Sequence, residues 1–378
     1  MSTTPPALPR VLHFVTGGFS GATQVAVDLV RAHGESGLFE SLLVLRRKRQ
    51  TDPARVAALR AQGLAVEVVP GWSHAATIWQ LVRLCRKFRP DLLVAHGFSE
   101  HLWGRYAGLI ARVPRLVQVE HNSRERYTRW RQAQMRWLAR RTRAIVGVSQ
   151  GVREALLARG VDPSKTLAIP NGIRLEPYAQ AHAYSYASRE PGIVMAARFA
   201  RQKDHASLLH ALALLRERGR TPTLLLAGGG KASALWQANK LCSQLGLQSQ
   251  VRFLGHCNDV PGLLMSQQVC VLSTHYEGMP LSLIEGMAAG CAVVGSRVPG
   301  VREVLQHERN GLLVDEGDPK ALADVLERLL ARPQEAAAMA AQGQRDARER
   351  HGLALMLARY EALFLRLLGQ GPGEQGPV

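Results

Sequence analysis

No stretch of this chain approaches the roughly 18 consecutive apolar residues that a membrane-spanning helix needs, although 46% of its residues are hydrophobic. The start, MSTTPPALPRVLHFV, has no basic stretch followed by a long apolar run, so it does not read as a secretory leader. Cysteine is scarce. Cys85, Cys242, Cys257, Cys270 and Cys291 are scattered, odd in number and mostly set in apolar segments. They therefore read as reduced core residues of a cytosolic protein, without a disulfide framework or a metal-binding spacing. The 13 histidines form no HExxH or other paired-ligand pattern. No GK[ST] occurs where a phosphate loop would need it, which excludes that class of nucleotide binder.

What is present is length, apolar content and positive charge. At 378 residues the chain exceeds the size at which one core stops growing, so two domains are expected. The formal net charge is +18 and is unevenly spread: residues 1–190 carry 28 Lys and Arg against 13 Asp and Glu, the remainder 20 against 17. A basic surface concentrated in one half implies an anionic partner: nucleic acid, anionic lipid or a phosphorylated substrate.

Both halves alternate apolar, β-branched runs with helical patterns. In the first, strands are expected at 10–16, 39–45, 65–69, 91–96, 115–120, 145–148 and 166–169. Helices are expected at 23–33, 53–62, 78–88 and 101–111, with a further one after Ser149 as its cap. The second half restarts with strands at 192–196, 223–227, 250–253, 269–274, 292–295 and 311–314. Its helices are expected at 205–218 and 280–289, with a long terminal one at 353–368. Strands separated by helices imply parallel sheets covered on both faces. The expected division is a first domain over 1–175, a linker over 176–190 and a second domain over 191–350. A C-terminal helix over 351–368 would return to the first domain, followed by a disordered tail over 369–378. Two such doubly wound domains, facing one another, would leave a cleft at the carboxyl ends of their strands, where ligands of such sheets bind.

The most informative stretch is EGMPLSLIE, residues 277–285, where an apolar strand turns into a helix. Pro280 suits the first helical position, and the amides of Leu281 and Ser282 would then face outward without carbonyl partners. Such an end carries partial positive charge and binds phosphate. Glu277 lies just before this seat and Glu285 about a turn and a half into the helix. A phosphate cradle flanked by two carboxylates suits a nucleotide-sugar, whose ribose and hexose hydroxyls carboxylates accept strongly. The stretch AARFARQKDH places Arg198 and Lys203 on another strand-to-helix loop, where two cations suit a departing diphosphate.

Two glycine-rich turns follow strands. AGGGK (227–231), centred on Gly229, would allow close backbone approach to a phosphate or base. TGGFSGATQ (16–24) sets Gly17, Gly18 and Gly21 in a G-G-x-x-G spacing that is not a dinucleotide fingerprint. His121 ends a first-half strand and can hydrogen-bond a sugar hydroxyl or phosphate, with His96 as a weaker competitor. The segment 124–143, RERYTRWRQAQMRWLARRTR, holds eight arginines against one glutamate, with Tyr127, Trp130, Trp137 and Leu138 near one helical face. That pattern fits a membrane-surface helix, a site for a phosphorylated acceptor, or an ordinary sheet-covering helix. RRKR (46–49) extends the basic surface.

With these pieces placed, the chain resembles the retaining GT-B glycosyltransferases of family 4, which build bacterial polysaccharides and glycolipids. The resemblance is carried by VSQGVREALLARGV…IPNGI, AARFARQKDH…LLHAL, VRFLG, EGMPLSLIEGMAAGCAVVGS and VPGVREVL…NGLLV. It implies that Arg198 and Lys203 hold the donor diphosphate, Glu285 the ribose and Glu277 the transferred sugar. Backbone amides near Met279, Pro280, Leu281 and Ser282 would touch sugar and phosphate. Either Gly18 or Gly21 matches the second glycine of the family's first-loop pair, and His121 looks like the family histidine that contacts the donor sugar. This chain departs from the pattern in reading AARF where the family has GRL.

The resemblance implies transfer of a hexose from a nucleotide-diphospho-sugar, such as a UDP- or GDP-sugar, to a lipid-linked or lipopolysaccharide-type acceptor. It implies no cofactor and no metal, since the D-x-D motif is absent. A cytoplasmic location, peripheral on an anionic membrane, is expected, and nucleic acid is not expected as a partner. A sugar-nucleotide epimerase and a non-enzymatic nucleic-acid-binding protein are the competing expectations. A glycosidase would need one carboxyl kept protonated at neutral pH, which two glutamates beside cations disfavour.

Overall fold

The computed structural model describes residues 7–49, 51–124, 127–182 and 185–370. The chain forms two compact units, Met1–Pro170 together with Met356–Val378, and Asn171–Leu355.

The first unit holds seven strands: β1 (Arg10–Thr16), β2 (Glu40–Arg46), β3 (Val66–Val69), β4 (Leu92–His96), β5 (Arg115–Glu120), β6 (Ala144–Gly147) and β7 (Thr166–Ala168). Between them run α1 (Gly21–Ser36), α2 (Pro53–Ala61), α3 (His74–Phe88), α4 (Glu100–Ile110), α5 (Arg129–Ala139) and α6 (Gln150–Ala158). The strands form one parallel sheet in the order β3-β2-β1-β4-β5-β6-β7. Helices on a parallel sheet bury both its faces, so its strands read as continuous apolar runs rather than alternating ones. Leu92 to His96 is buried throughout, and Leu12, Phe14, Leu93 and Ala95 anchor one core cluster. Local chemistry starts the helices: the side chains of Ser73, Thr128 and Ser149 each accept an amide from the first turn that follows.

The second unit repeats the pattern with six parallel strands: β8 (Glu190–Ala196), β9 (Leu224–Ala227), β10 (Val251–Gly255), β11 (Gln267–Leu272), β12 (Ala292–Ser296) and β13 (Leu312–Val314). Their order is β10-β9-β8-β11-β12-β13. The helices include α7 (His205–Glu217), α8 (Ala232–Gln244), α9 (Val260–Met265), α10 (Leu281–Ala288), α11 (Pro299–Arg302), α12 (Pro319–Ala331) and α13 (Pro333–Arg350). In each sheet the first strand sits beside the fourth, so the connections run outward in opposite directions from that pair. The loops after those two strands stand at the sheet's carboxyl edge, where ligands of such sheets bind.

Two expectations need revision here. The expected linker, 176–190, belongs to the second unit together with the residues just before it, because the segment has apolar groups to bury and partners for its backbone. Tyr178 and Ala181 are buried, the Ile173 amide donates to the His351 carbonyl at 2.8 Å, and short 3-10 turns cover Glu176–His182 and Tyr186–Ser188. The final helix, α14 (Leu353–Leu368), belongs to the first unit from Met356 onward, where Phe364 packs its ring against His13 and His33. Residues 371–378 of the expected tail lie outside the described residues, as do Glu125 and Arg126 of the basic segment. That segment does not gather its apolar side chains on one face. In α5, Met135, Leu138 and Ala139 turn to the core, while Trp130 is 72% exposed and Trp137 points outward under Arg141. Among the described residues no helix is long and apolar enough to cross a membrane.

Candidate functional site

The crevice of the second unit is built by the loops after β8 and β11, and hydrogen bonds knit these loops together. The Asp204 amide donates to the Ser273 carbonyl at 3.0 Å and the His275 amide to the Gln202 carbonyl at 2.9 Å. The Gln202 side chain donates to the Tyr276 carbonyl at 2.6 Å. Ser296, at the end of β12, accepts the Thr274 amide at 2.9 Å. This lattice carries Lys203 to Glu277, 74 residues away in sequence, where ammonium and carboxylate form a close ion pair. Thr274 donates its hydroxyl to the same carboxylate at 2.8 Å. Glu277 is buried, and a buried carboxylate is tolerable only with such partners.

Arg198 stands on the same loop, exposed, and among the described residues no carboxylate pairs with it. Beside it lies the glycine turn after β9. The Phe199 amide donates to the Gly229 carbonyl at 2.8 Å. A Cβ on Gly228 would stand 2.1 Å from the Ala197 carbonyl oxygen, and one on Gly230 would stand 2.3 Å from that of Phe199. Both also have φ near +150°, which L side chains avoid. Gly229, the residue expected to matter, has open space around it. The two flanking glycines are therefore the ones that let the backbone close against Arg198, and three identical letters gave no means of telling them apart.

The turn into α10 differs in detail from expectation. Pro280 is the residue before the helix, not its first residue, because its carbonyl accepts the first helical bond, from Ile284 at 3.2 Å. The Leu281 amide is taken by the Met279 carbonyl at 3.1 Å. Among the described residues the amides of Gly278, Met279 and Ser282 have no hydrogen-bond partner, so the free donors sit on the loop as well as on the helix. Gly300, at the start of α11, keeps this loop in place. A Cβ there would meet the Gly278 and Glu277 carbonyls at 2.7 and 2.8 Å. Thr274, Ser296 and Gly300 were not foreseen as site residues. Nothing in their local sequence marks them, since each acts through a contact distant in the chain.

Glu285 behaves unlike Glu277. It is half-buried without a cation, and burial pushes its carboxyl up to about 7. The argument that cations beside both glutamates disfavour a protonated carboxyl is thereby overturned for Glu285. Tyr178 is near enough that burial first, and the Glu285 charge second, raise its phenol.

In the first unit the corresponding crevice lies between the loops after β1 and β4. Gly18 and Gly21 lie on the former, and Gly21 opens α1 with nothing near its missing Cβ. Gly97, on the latter, sits between Ala22 and His121. His121 reaches His96 at 3.4 Å, and His96 reaches His13 at 3.1 Å, forming a file of imidazoles running into the sheet. Burial pushes His121 down to about 3 and His96 well below the ordinary range, so the file is neutral near pH 7. Among the described residues no three His, Cys, Asp or Glu side chains converge as a metal site.

Two parallel α/β units, each with its crevice at the strand-order reversal, define the GT-B class of glycosyltransferase fold. Solved structures agree. The crystal structure of Anabaena HepE in complex with UDP and glucose matches 95% of this chain and all of its own, with a TM-score of 0.82 at 21% identity. Sucrose-phosphate synthase of Thermosynechococcus elongatus matches 96% of this chain with a TM-score of 0.80 at 20% identity. The model of glycosyltransferase family 4 matches residues 19–177, and that of glycosyl transferases group 1 matches residues 182–346. The chain belongs to this family of glycosyltransferases. Among relatives, the lipopolysaccharide core biosynthesis glycosyltransferase LpsD of Rhizobium meliloti (strain 1021) is 26% identical across 94% of this chain and 98% of its own. The UDP-Gal:alpha-D-GlcNAc-diphosphoundecaprenol alpha-1,3-galactosyltransferase of Escherichia coli is 25% identical across 66% of this chain and 68% of its own. The chain is thus a glycosyltransferase.

Proposed function

We propose that this glycosyltransferase moves a hexose from a UDP- or GDP-linked donor to a lipid-linked or lipopolysaccharide-type acceptor, with retention of anomeric configuration and without a metal ion. The observation that carries the reading is the buried Lys203–Glu277–Thr274 constellation beside exposed Arg198, which no carboxylate pairs among the described residues. In the bound state Arg198 and Lys203 stabilise the departing diphosphate, and the loop amides at Gly278, Met279 and Ser282 add fixed donors. Glu277 then exchanges part of its bond to Lys203 for hydroxyls of the transferred sugar. Glu285 takes the ribose hydroxyls, and His121, neutral, donates to or accepts from the sugar.

The sugar carbon breaks its bond to the diphosphate oxygen and forms one to the acceptor oxygen on the same face. The acceptor's proton passes to that departing phosphate oxygen, so no separate base is needed. Enclosure of the donor excludes water and suppresses hydrolysis. Two similar proteins support the choice of nucleotide: HepE holds UDP and glucose, and the Escherichia coli relative uses UDP-Gal. Exposed Trp72, Trp79, Trp130 and Trp137 among arginines on the first unit support peripheral attachment to the cytoplasmic face of an anionic membrane.

A thermal-shift panel of UDP, GDP, ADP and their sugars selects the donor, and a transfer assay with anomeric NMR follows. The chosen nucleotide-sugar should raise Tm in wild type and not in Arg198→Ala/Lys203→Ala. Its affinity should fall as pH drops through about 7, where Glu285 gains its proton, and Glu285→Gln should flatten that profile. A product formed from the donor alone, an inverted anomer, or full turnover by the double variant refutes the reading.

A further inference from the structure

A second charged constellation lies on the first unit, at the carboxyl edge of its sheet, and the donor chemistry does not use it. At its centre is Glu100, the first residue of α4, buried to 3% exposure. Lys48 reaches its Oε1 at 2.7 Å and Arg46, at the end of β2, reaches the same oxygen at 3.3 Å. Arg131 of α5 and His74, the first residue of α3, stand close by. Burial, then Arg46, Arg131 and Lys48, lower the His74 imidazole, and only Glu100 acts to raise it. Two permanent cations therefore contact one carboxylate, and a third, Arg131, stands close enough to act on His74.

The cluster is built rather than incidental. The loops that carry it are pressed together so tightly that a Cβ on Gly71 would lie 1.7 Å from the Arg47 carbonyl, and one on Gly17 would lie 2.7 Å from that of Arg46. Ser99, preceding Glu100, holds a positive φ of 66°, a conformation that side chains rarely adopt and that clusters at ligand sites. Arg46 is left hungry. It is buried, its contacts to Ser99, Glu100 and the Gly71 carbonyl are all 3.3–3.5 Å long, and among the described residues its Nε–H has no partner. A buried guanidinium normally closes short, charge-assisted bonds with all its donors. Leading away from the cluster is a ladder of rings. His74 stacks on Trp103 at 4.3 Å, Trp103 on Tyr106 and Tyr106 on Trp137, with Arg131 over Phe98 to one side.

We infer that Arg46, Lys48, His74 and Arg131 form a seat for a phosphate or diphosphate carried by the acceptor, with the Trp103–Tyr106–Trp137 ladder supporting the part of the acceptor that follows it. This rests on the reading of the chain as transferring sugar to an acceptor, and it names the acceptor's class as phosphorylated. The incoming oxygens take Arg46 Nε–H and share Lys48 with Glu100. Arg forks and Lys point charges together suit a diphosphate.

The test uses the full chain with the donor site saturated by the nucleoside diphosphate selected above, so that Arg198 and Lys203 are occupied. Binding of inorganic pyrophosphate and of farnesyl diphosphate is measured by calorimetry for wild type, Lys48→Gln, Arg131→Gln and Arg46→Gln. The first two alter half-exposed side chains and keep the fold, which an unchanged Tm and unchanged nucleoside diphosphate affinity verify. Each should weaken both probes by about tenfold, the value of one charge-assisted contact, and the loss should shrink at high salt. Equal binding of the two probes marks a phosphate on any carrier, and tighter farnesyl diphosphate binding marks a lipid carrier. Absence of probe binding in wild type, or unaltered binding in Lys48→Gln and Arg131→Gln, overturns the inference. If no nucleoside diphosphate stabilises the chain, the donor reading fails, while the variant series still decides this one.

Discussion

The two units share a strand order and a crevice beside the reversal, yet they equip the crevice with different charge. In the second unit one buried carboxylate, Glu277, meets one lysine, and on the same loop exposed Arg198 has no carboxylate partner among the described residues. In the first, Glu100 meets both Arg46 and Lys48, with Arg131 acting on the neighbouring His74, and most of the chain's excess positive charge lies in residues 1–190. Parallel-sheet topology places ligands at the same edge in both. Which ligand is received depends on loop residues that the topology leaves free to vary.

The comparison can be broken most sharply at the ion pairs. Lys203→Met leaves Glu277 buried with Thr274 as its neutral hydrogen-bond partner. It should cut kcat by about a hundredfold or more through lost charge stabilisation and lower stability by about 3 kcal/mol. Lys48→Met, made on the half-exposed partner of Glu100, should leave donor affinity intact. Steady-state kinetics with denaturant unfolding checks both, and equal effects on donor affinity would erase the distinction between the units.

The glycine turn after β9 offers a smaller and cleaner contrast. Gly228→Ala and Gly230→Ala each force a Cβ into a carbonyl at an unfavourable φ and should cost about 1–3 kcal/mol. Gly229→Ala meets nothing within 4 Å and should change stability by no more than about 0.5 kcal/mol, as ordinary surface substitutions do. Chemical denaturation of the three variants decides it.

Acid should strain the first unit harder than the second. Burial holds His33 at about 4 and His121 at about 3, and keeps His13, His96 and His101 well below the ordinary value of 6.5. In the second unit, burial shifts His205 in this way, to about 4. A histidine depressed in the folded state contributes stability above its unfolded value of 6.5. That stability is lost as pH falls towards the folded value, at up to about 1.4 kcal/mol per pH unit for each group. Tm should therefore decline from pH 6.5 to about 4. Hydrogen exchange should show amides of β1, β4 and β5 losing protection before those of β8 and β11.

Much of the fold was legible because strands buried on both faces must be apolar throughout. Val293 and Val294, or Leu92 to Ala95, could not be read as anything that faces water. Helix starts were legible where one side chain does the capping, as at Ser149. Misreadings arose where a local signal was ambiguous. The tyrosines and small residues of 171–190 look like a linker until Tyr178 is seen buried. The aromatics of α5 look like one face until Leu138 turns in and Trp130 turns out. Pro280 permits either of two positions at a helix start, and only the Ile284 bond chooses between them.

The order of residues by itself determined the alternation of strand and helix, the two-unit plan and the motif that marks a glycosyltransferase, since each depends on neighbours within a few positions of one another. Tertiary structure alone decided that Lys203 closes on Glu277, that Glu285 has no cation beside it among the described residues, and that Arg46 and Lys48 close on Glu100 with His74 and Arg131 nearby. Those outcomes depend on which loops a parallel sheet brings to one edge, and Coulomb attraction and hydrogen bonding act over ångströms of space whatever the separation along the chain.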